Sequence, residues 1–276
     1  VSQEKKHILW FLLITFVASF AFEAYIIQQG GIRAWPQSTL ILMWIPGLVA
    51  LLYRAIARIG FRDVGWKLGA GRYWLLALAV PFSIALISNV LCWTLGINQF
   101  VPNPEALLKK AGLSSVYELL FLKYPWWLLW GCINALGEEL GWRGFLIPKL
   151  SYLKIKHPLL LSGLIWGVWH YPLIIWGDYA TSQLPIVSVL LFTVMIACSG
   201  VFIGWLRMKS GSVWVAMFYH ACHNLFLQTA FAVFSQPGKY DAYLGNESGV
   251  IPCVLYLLVL WIGSRPFGHS AQPANS

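Results

Sequence analysis

YPWWLLWGCINALGEELGWRGFLIPK, residues 124–149, reads two ways at once. Its length and apolar character suit a bilayer core of about 30 Å, which takes about 20 helical residues. Its middle carries Glu138, Glu139 and Arg143, which are costly on a lipid-facing surface. The combination predicts a membrane helix whose polar face turns inward. The same ruler picks out eight segments, roughly 8–29, 36–56, 73–96, 124–149, 158–177, 184–206, 212–234 and 249–264. Backbone shut away from water must bond internally, so each is expected to be a helix. The expected fold class is all-α: a multi-pass transmembrane helical bundle of about eight spanning helices, in a single domain over residues 1–276 with its core motifs in 124–234.

Composition points the same way. Charged residues make up 11% of the chain and hydrophobic residues 59%, against roughly 25% charge in soluble domains. Lipid is therefore the expected solvent, and Trp35, Trp74, Trp126, Trp127 and Trp261 near segment ends suit an interfacial belt. The net charge of +9 is scattered between apolar runs, with no basic stripe for nucleic acid. Five cysteines lie inside apolar stretches without CxxC spacing, which reads as packing rather than a disulfide framework. The first run is too long for a signal-peptide core and has no small-x-small cleavage site, so it reads as a first span.

Lys and Arg set the orientation. Arg33, Lys109, Lys110, Lys123 and Lys239 fall on one side, thirteen others on the opposite side, and Arg143 inside a span. That bias places both termini in the cytoplasm and an integral protein in the plasma membrane. The polar stretch 97–122 looks amphipathic from Pro104 to Lys110 and suits a short helix in the outer interface.

Three segments carry polar groups at similar depth. Glu138 lies about 18 Å from the cytoplasmic end of its segment, His170 about 18 Å, His220 about 14 Å and Asn224 about 20 Å, at about 1.5 Å per residue. Glu139 and Arg143 are i,i+4 and expected to neutralise each other, leaving Glu138 free to point elsewhere. His220 and Asn224 share a face, with His223 at its edge. These groups are expected to form one polar site. A carboxylate beside an imidazole can take a proton from water, and an Asn amide or a His can donate to an oxyanion. Glu138 and His170 as water activators, with His220 and Asn224 as oxyanion donors, complete a hydrolase. Glu138, His170 and His220 are also a possible Zn²⁺ ligand set with an open position. HExxH and GxSxG motifs are absent from the sequence. Glu23 has no evident partner and reads as structural or at an edge, Gly200-x-x-x-Gly204 suits close helix packing, and Pro172 suits a kink after His170.

Glu138-Glu139-x-x-x-Arg143, Trp166-x-x-x-His170 and His220-x-x-x-Asn224, in that order, resemble the CAAX prenyl endopeptidase and bacteriocin-processing family of intramembrane proteases. The segment Ile59–Trp66 resembles the family's linker before the third span. The resemblance implies an endopeptidase acting on a membrane-associated, prenylated or leader-bearing substrate. It implies Glu138 and His170 on water, His220 and Asn224 on the oxyanion, and Glu139 with Arg143 in support. It implies no obligatory cofactor, with one Zn²⁺ as the alternative. The partners expected are the bilayer and a peptide or protein substrate entering from the membrane or the cytoplasmic side, through a cavity open toward the cytoplasm. A non-catalytic scaffold or bacteriocin self-immunity protein, and a proton- or metal-coupled transporter, are the competing readings.

Overall fold

Each of the eight apolar segments is helical in the structure, a computed structural model that describes residues 2–110, 112–180 and 182–263. In chain order the helices are α1 (Ser2–Gln28), α2 (Ser38–Ile56), α3 (Gly71–Thr94), α4 (Glu105–Lys110), α5 (Val116–Glu118), α6 (Tyr124–Gly141), α7 (Ile147–Tyr152), α8 (Pro158–Trp169), α9 (Tyr171–Trp176), α10 (Pro185–Ser210), α11 (Val213–His223), α12 (Asp241–Leu244) and α13 (Val250–Ile262). The strand content among the described residues is a two-residue antiparallel pairing of Gln99–Phe100 with Ser235–Gln236. The protein is an all-α, multi-pass helical bundle.

Eight uninterrupted spans are not what the chain builds. Five helical runs are long and apolar enough to cross a membrane by length and composition: α1, α2, α3, the combined α8–α9 run and α10. The other three expected spans are broken or short. Residues 124–149 become α6, a π-helical stretch Trp142–Leu146 and α7. Residues 212–234 become α11 followed by π-helical Asn224–Ala230. The last becomes α13, of 13 residues. Its expected end, with Arg265, lies outside the described residues.

Lipid tails offer helices no hydrophobic drive to associate, so close backbone contact must hold them. Glycine supplies it between α2 and α6. A Cβ on Gly137 would sit 2.5 Å from the Met43 carbonyl oxygen, and one on Gly47 would sit 2.3 Å from that of Gly137. Gly200 of α10 meets Gly163 of α8 in the same manner. The opposite faces carry exposed Leu9, Leu13 and Val17 on α1 and Leu48 and Leu52 on α2, as lipid contact requires.

The basic end is tied together by charge. Arg54, 1% exposed, bonds Asp63 at 2.6 Å and the carbonyls of Gly60 and Gly144. Arg207 donates to the Asp63 carbonyl at 2.7 Å. Gly65, with φ 93°, turns the linker so that its carbonyl accepts from Val213 N at the start of α11. Ser212 caps α11 through Val215 N. The linker thereby fixes α11 against the π-helical stretch after α6. At the other end, Leu108, Leu113 and Leu119 pack with Val116, Tyr124 and Trp127, anchoring the amphipathic segment, while Tyr117, Phe121 and Leu122 stay exposed.

Candidate active site

Regular helix gives way at His170, Arg143 and Asn224, while Glu138 and His220 stay within α6 and α11. α8 ends at Trp169, His170 occupies the break, and Pro172 sits in the first turn of α9, where its missing N–H costs nothing. Arg143 lies in the π-helical stretch after α6, and Asn224 opens the one after α11. Single π turns within α-helices are frequent at functional sites, because the extra residue re-aims side chains.

These elements place Glu138, His170, His220 and Asn224 on the wall of one cavity of about 240 Å³, room for roughly eight waters at about 30 Å³ each. Glu138 Oε2 accepts from Trp166 Nε1 at 2.5 Å. His170 Nδ1 lies 2.8 Å from the Trp166 carbonyl oxygen. Since a carbonyl only accepts, Nδ1 carries the proton and Nε2 is the acceptor left over. Trp166 thus orients both groups, one through its side chain and one through its backbone.

Glu139 and Arg143 lie behind the cavity wall, both fully buried. Their pairing differs from the isolated ion pair expected. Glu139 Oε1 accepts from Arg143 Nη1 and from His220 Nδ1, each at 2.9 Å. Arg143 also stacks over the Trp166 ring, 4.0 Å from Cζ to centroid, while Glu139 Oε2 and Arg143 Nε and Nη2 have no hydrogen-bond partner among the described residues. The pair therefore does not satisfy its own charges. It holds His220 from behind and Trp166 from below. Asn224 Oδ1 accepts from Gln228 at 3.5 Å, leaving its amide N–H groups available.

Several wall residues were not foreseen. Asn134 donates to the Trp130 carbonyl at 2.7 Å, and its own oxygen is buried without a partner. Tyr179 and Gln228 line the wall too. His223, left at the edge of its face by helical spacing, bonds Tyr256 Oη at 2.6 Å and Glu247 Oε1 at 3.1 Å. Glu247 carried no sequence signal, since it sits in a loop between short apolar stretches. Glu23 is fully buried rather than at an edge, and both its carboxylate oxygens lack a hydrogen-bond partner among the described residues.

Ile32, Thr39, Tyr179 and Glu247 also line the cavity. Ile32, Tyr179 and Glu247 lie in connections other than the one that carries Arg58, Arg62 and Lys67, and Thr39 lies in the first turn of α2.

Among the described residues, no three His, Cys, Asp or Glu side chains form a group that could hold a metal ion.

Residues 119–226, which contain every one of these motifs, match the family profile described as Type II CAAX prenyl endopeptidase Rce1-like. A 98-residue stretch is 33% identical to CAAX prenyl protease 2 of Methanococcus maripaludis. That match covers 34% of this chain and spans about a third (36%) of the relative's length.

Proposed function

We propose that the chain, whose residues 119–226 match the profile of the Rce1-like type II CAAX prenyl endopeptidases, is an intramembrane endopeptidase using a glutamate-activated water. The observation that supports this reading best is the common cavity reached by Glu138, His170, His220 and Asn224 from three separate helical runs. Glu138 takes a proton from a water that attacks the scissile carbonyl carbon. His170, with Nε2 unprotonated, holds that water. The C–N bond then breaks, and the leaving amine takes up a proton returned by Glu138. Asn224 donates its amide N–H to the oxyanion of the tetrahedral intermediate. His220 already gives Nδ1–H to Glu139, so donation from Nε2 requires an imidazolium, whose charge Glu139 balances.

No step here needs a metal. If Zn²⁺ were bound instead, Glu138, His170 and His220 would hold it, with the Nδ1 contacts of both imidazoles kept as support, and it would supply a lower-pKa water. Substrate enters as a peptide segment of a membrane-associated, prenylated or leader-bearing protein. With the basic end cytoplasmic, a membrane-impermeant maleimide should label Lys239→Cys, and not Lys67→Cys, in intact cells.

The decisive experiment is a peptide-release screen on the purified chain beside Glu138→Gln, each with and without chelator. Release by the native chain in chelator, absent from the variant, is expected. Full release by the variant removes Glu138 from the mechanism, and chelator-sensitive release restores the zinc alternative. Persistence of an immunity phenotype in the variant would favour the scaffold reading.

A further inference from the structure

Glu247 reaches the cavity wall from the connection between α12 and α13, its side chain 12% exposed. It ends a chain of hydrogen bonds. Ser199 lies 3.1 Å from Tyr219 Oη, Tyr219 donates to Tyr256 at 3.1 Å, and Tyr256 lies 2.6 Å from His223 Nδ1. His223 Nε2 lies 3.1 Å from Glu247 Oε1, and since a carboxylate only accepts, Nε2 is the donor there. Burial alone would push the Glu247 carboxyl up, but the His223 hydrogen bond and charge, with the Gln228 amide, outweigh it and hold it below the ordinary value of 4.5. Among the described residues no Lys or Arg pairs with that carboxylate.

The rest of the wall does not cancel it either. Glu138 is a second carboxylate, and the lining contains no Lys or Arg. A charge in so enclosed a place is costly unless an opposite charge comes to it. A free C-terminal carboxylate meets two like charges there, whereas an ammonium or guanidinium meets a fixed acceptor.

We propose that Glu247, positioned by His223, is a recognition subsite for a cationic N–H group of the substrate: a Lys or Arg side chain, or a free α-amine. This deepens the endopeptidase reading and rests on it for the identity of the ligand as a peptide. The subsite lies at the mouth, so it selects which segment enters and takes no part in bond cleavage.

Binding tests it apart from catalysis. Fluorescent peptide pools, scanned with Lys or norleucine fixed at each position, are titrated onto the full chain carrying Glu138→Gln. At one position Lys should bind on the order of tenfold more tightly than norleucine. Adding Glu247→Gln should remove that difference while leaving the norleucine pool's affinity unchanged, and Glu247→Lys should reverse it in favour of Glu. N-acetylation of the pools separates an α-amine from a side chain as the ligand. Equal binding of Lys and norleucine at every position with unmodified termini, combined with no effect of acetylation, overturns the proposal. So does a preference that survives Glu247→Gln. Selective binding without cleavage by the native chain would end the endopeptidase reading and leave the subsite standing, while cleavage without selectivity would do the converse.

Discussion

Two carboxylate–imidazole pairs serve one cavity, and they are built differently. Glu139 and His220 stand at its floor, 2.9 Å apart, on α6 and α11, with Arg143 completing the set. Glu247 and His223 stand toward its mouth, 3.1 Å apart, joining a loop to the end of α11. The floor pair is balanced by a buried cation and joins two packed helices. The mouth pair has no Lys or Arg beside it on the cavity wall and hangs on a short connection. Rigid balance suits the place where charge develops in a reaction, and an unbalanced anion suits the place where a ligand must be chosen.

The strongest way to break this contrast is at the floor. Glu138→Gln should lower kcat by about 10³-fold or more, given that a positioned general base contributes about 10²–10⁴; single-turnover peptide release measures it. Asn224→Ala should cost about 10²–10³ in kcat with little change in KM, if its amide meets only the oxyanion. Comparable loss in KM would move Asn224 to substrate binding. Arg143→Met leaves Glu139 buried without its cation, and about 3–5 kcal/mol of stability should go with it, read as a lower Tm in detergent.

At the mouth the effects should be smaller and selective. His223→Ala should weaken discrimination among peptides by less than His220→Ala lowers turnover; equal losses in kcat would erase the distinction between the pairs. The pH dependence also separates them. Because the folded value of Glu247 lies below its unfolded one, the pair's stabilisation is complete above about 4.5 and lost as pH falls through the depressed value. Native chain and Glu247→Gln should therefore differ in Tm at neutral pH and converge only in acid below that range.

The floor was legible in the sequence and the mouth was not. Glu138, His170, His220 and Asn224 stood out because an ionisable or amide group inside an apolar run is conspicuous, and helical rise converts position into depth. Glu247 lies in a polar connection, where one more carboxylate carries no signal. His223 was visible but unassigned, because its partners Tyr256 and Glu247 come from far along the chain. Glu139 was paired with its i,i+4 neighbour by local geometry, and its bond to His220 across 81 positions had no local trace.

By itself the sequence determined that the chain is a bundle of membrane helices, where they run, and which of them carry polar groups to a common depth. Those properties depend on transfer of side chains from water and on the fixed rise of a helix, both local. Only the tertiary structure decided the π-helical and broken stretches at the site, the sharing of Glu139 between Arg143 and His220, and the arrival of Glu247 at the cavity wall. Those depend on how closely backbones can approach, and that is set by which glycine faces which carbonyl on another helix, a relation no single helix contains.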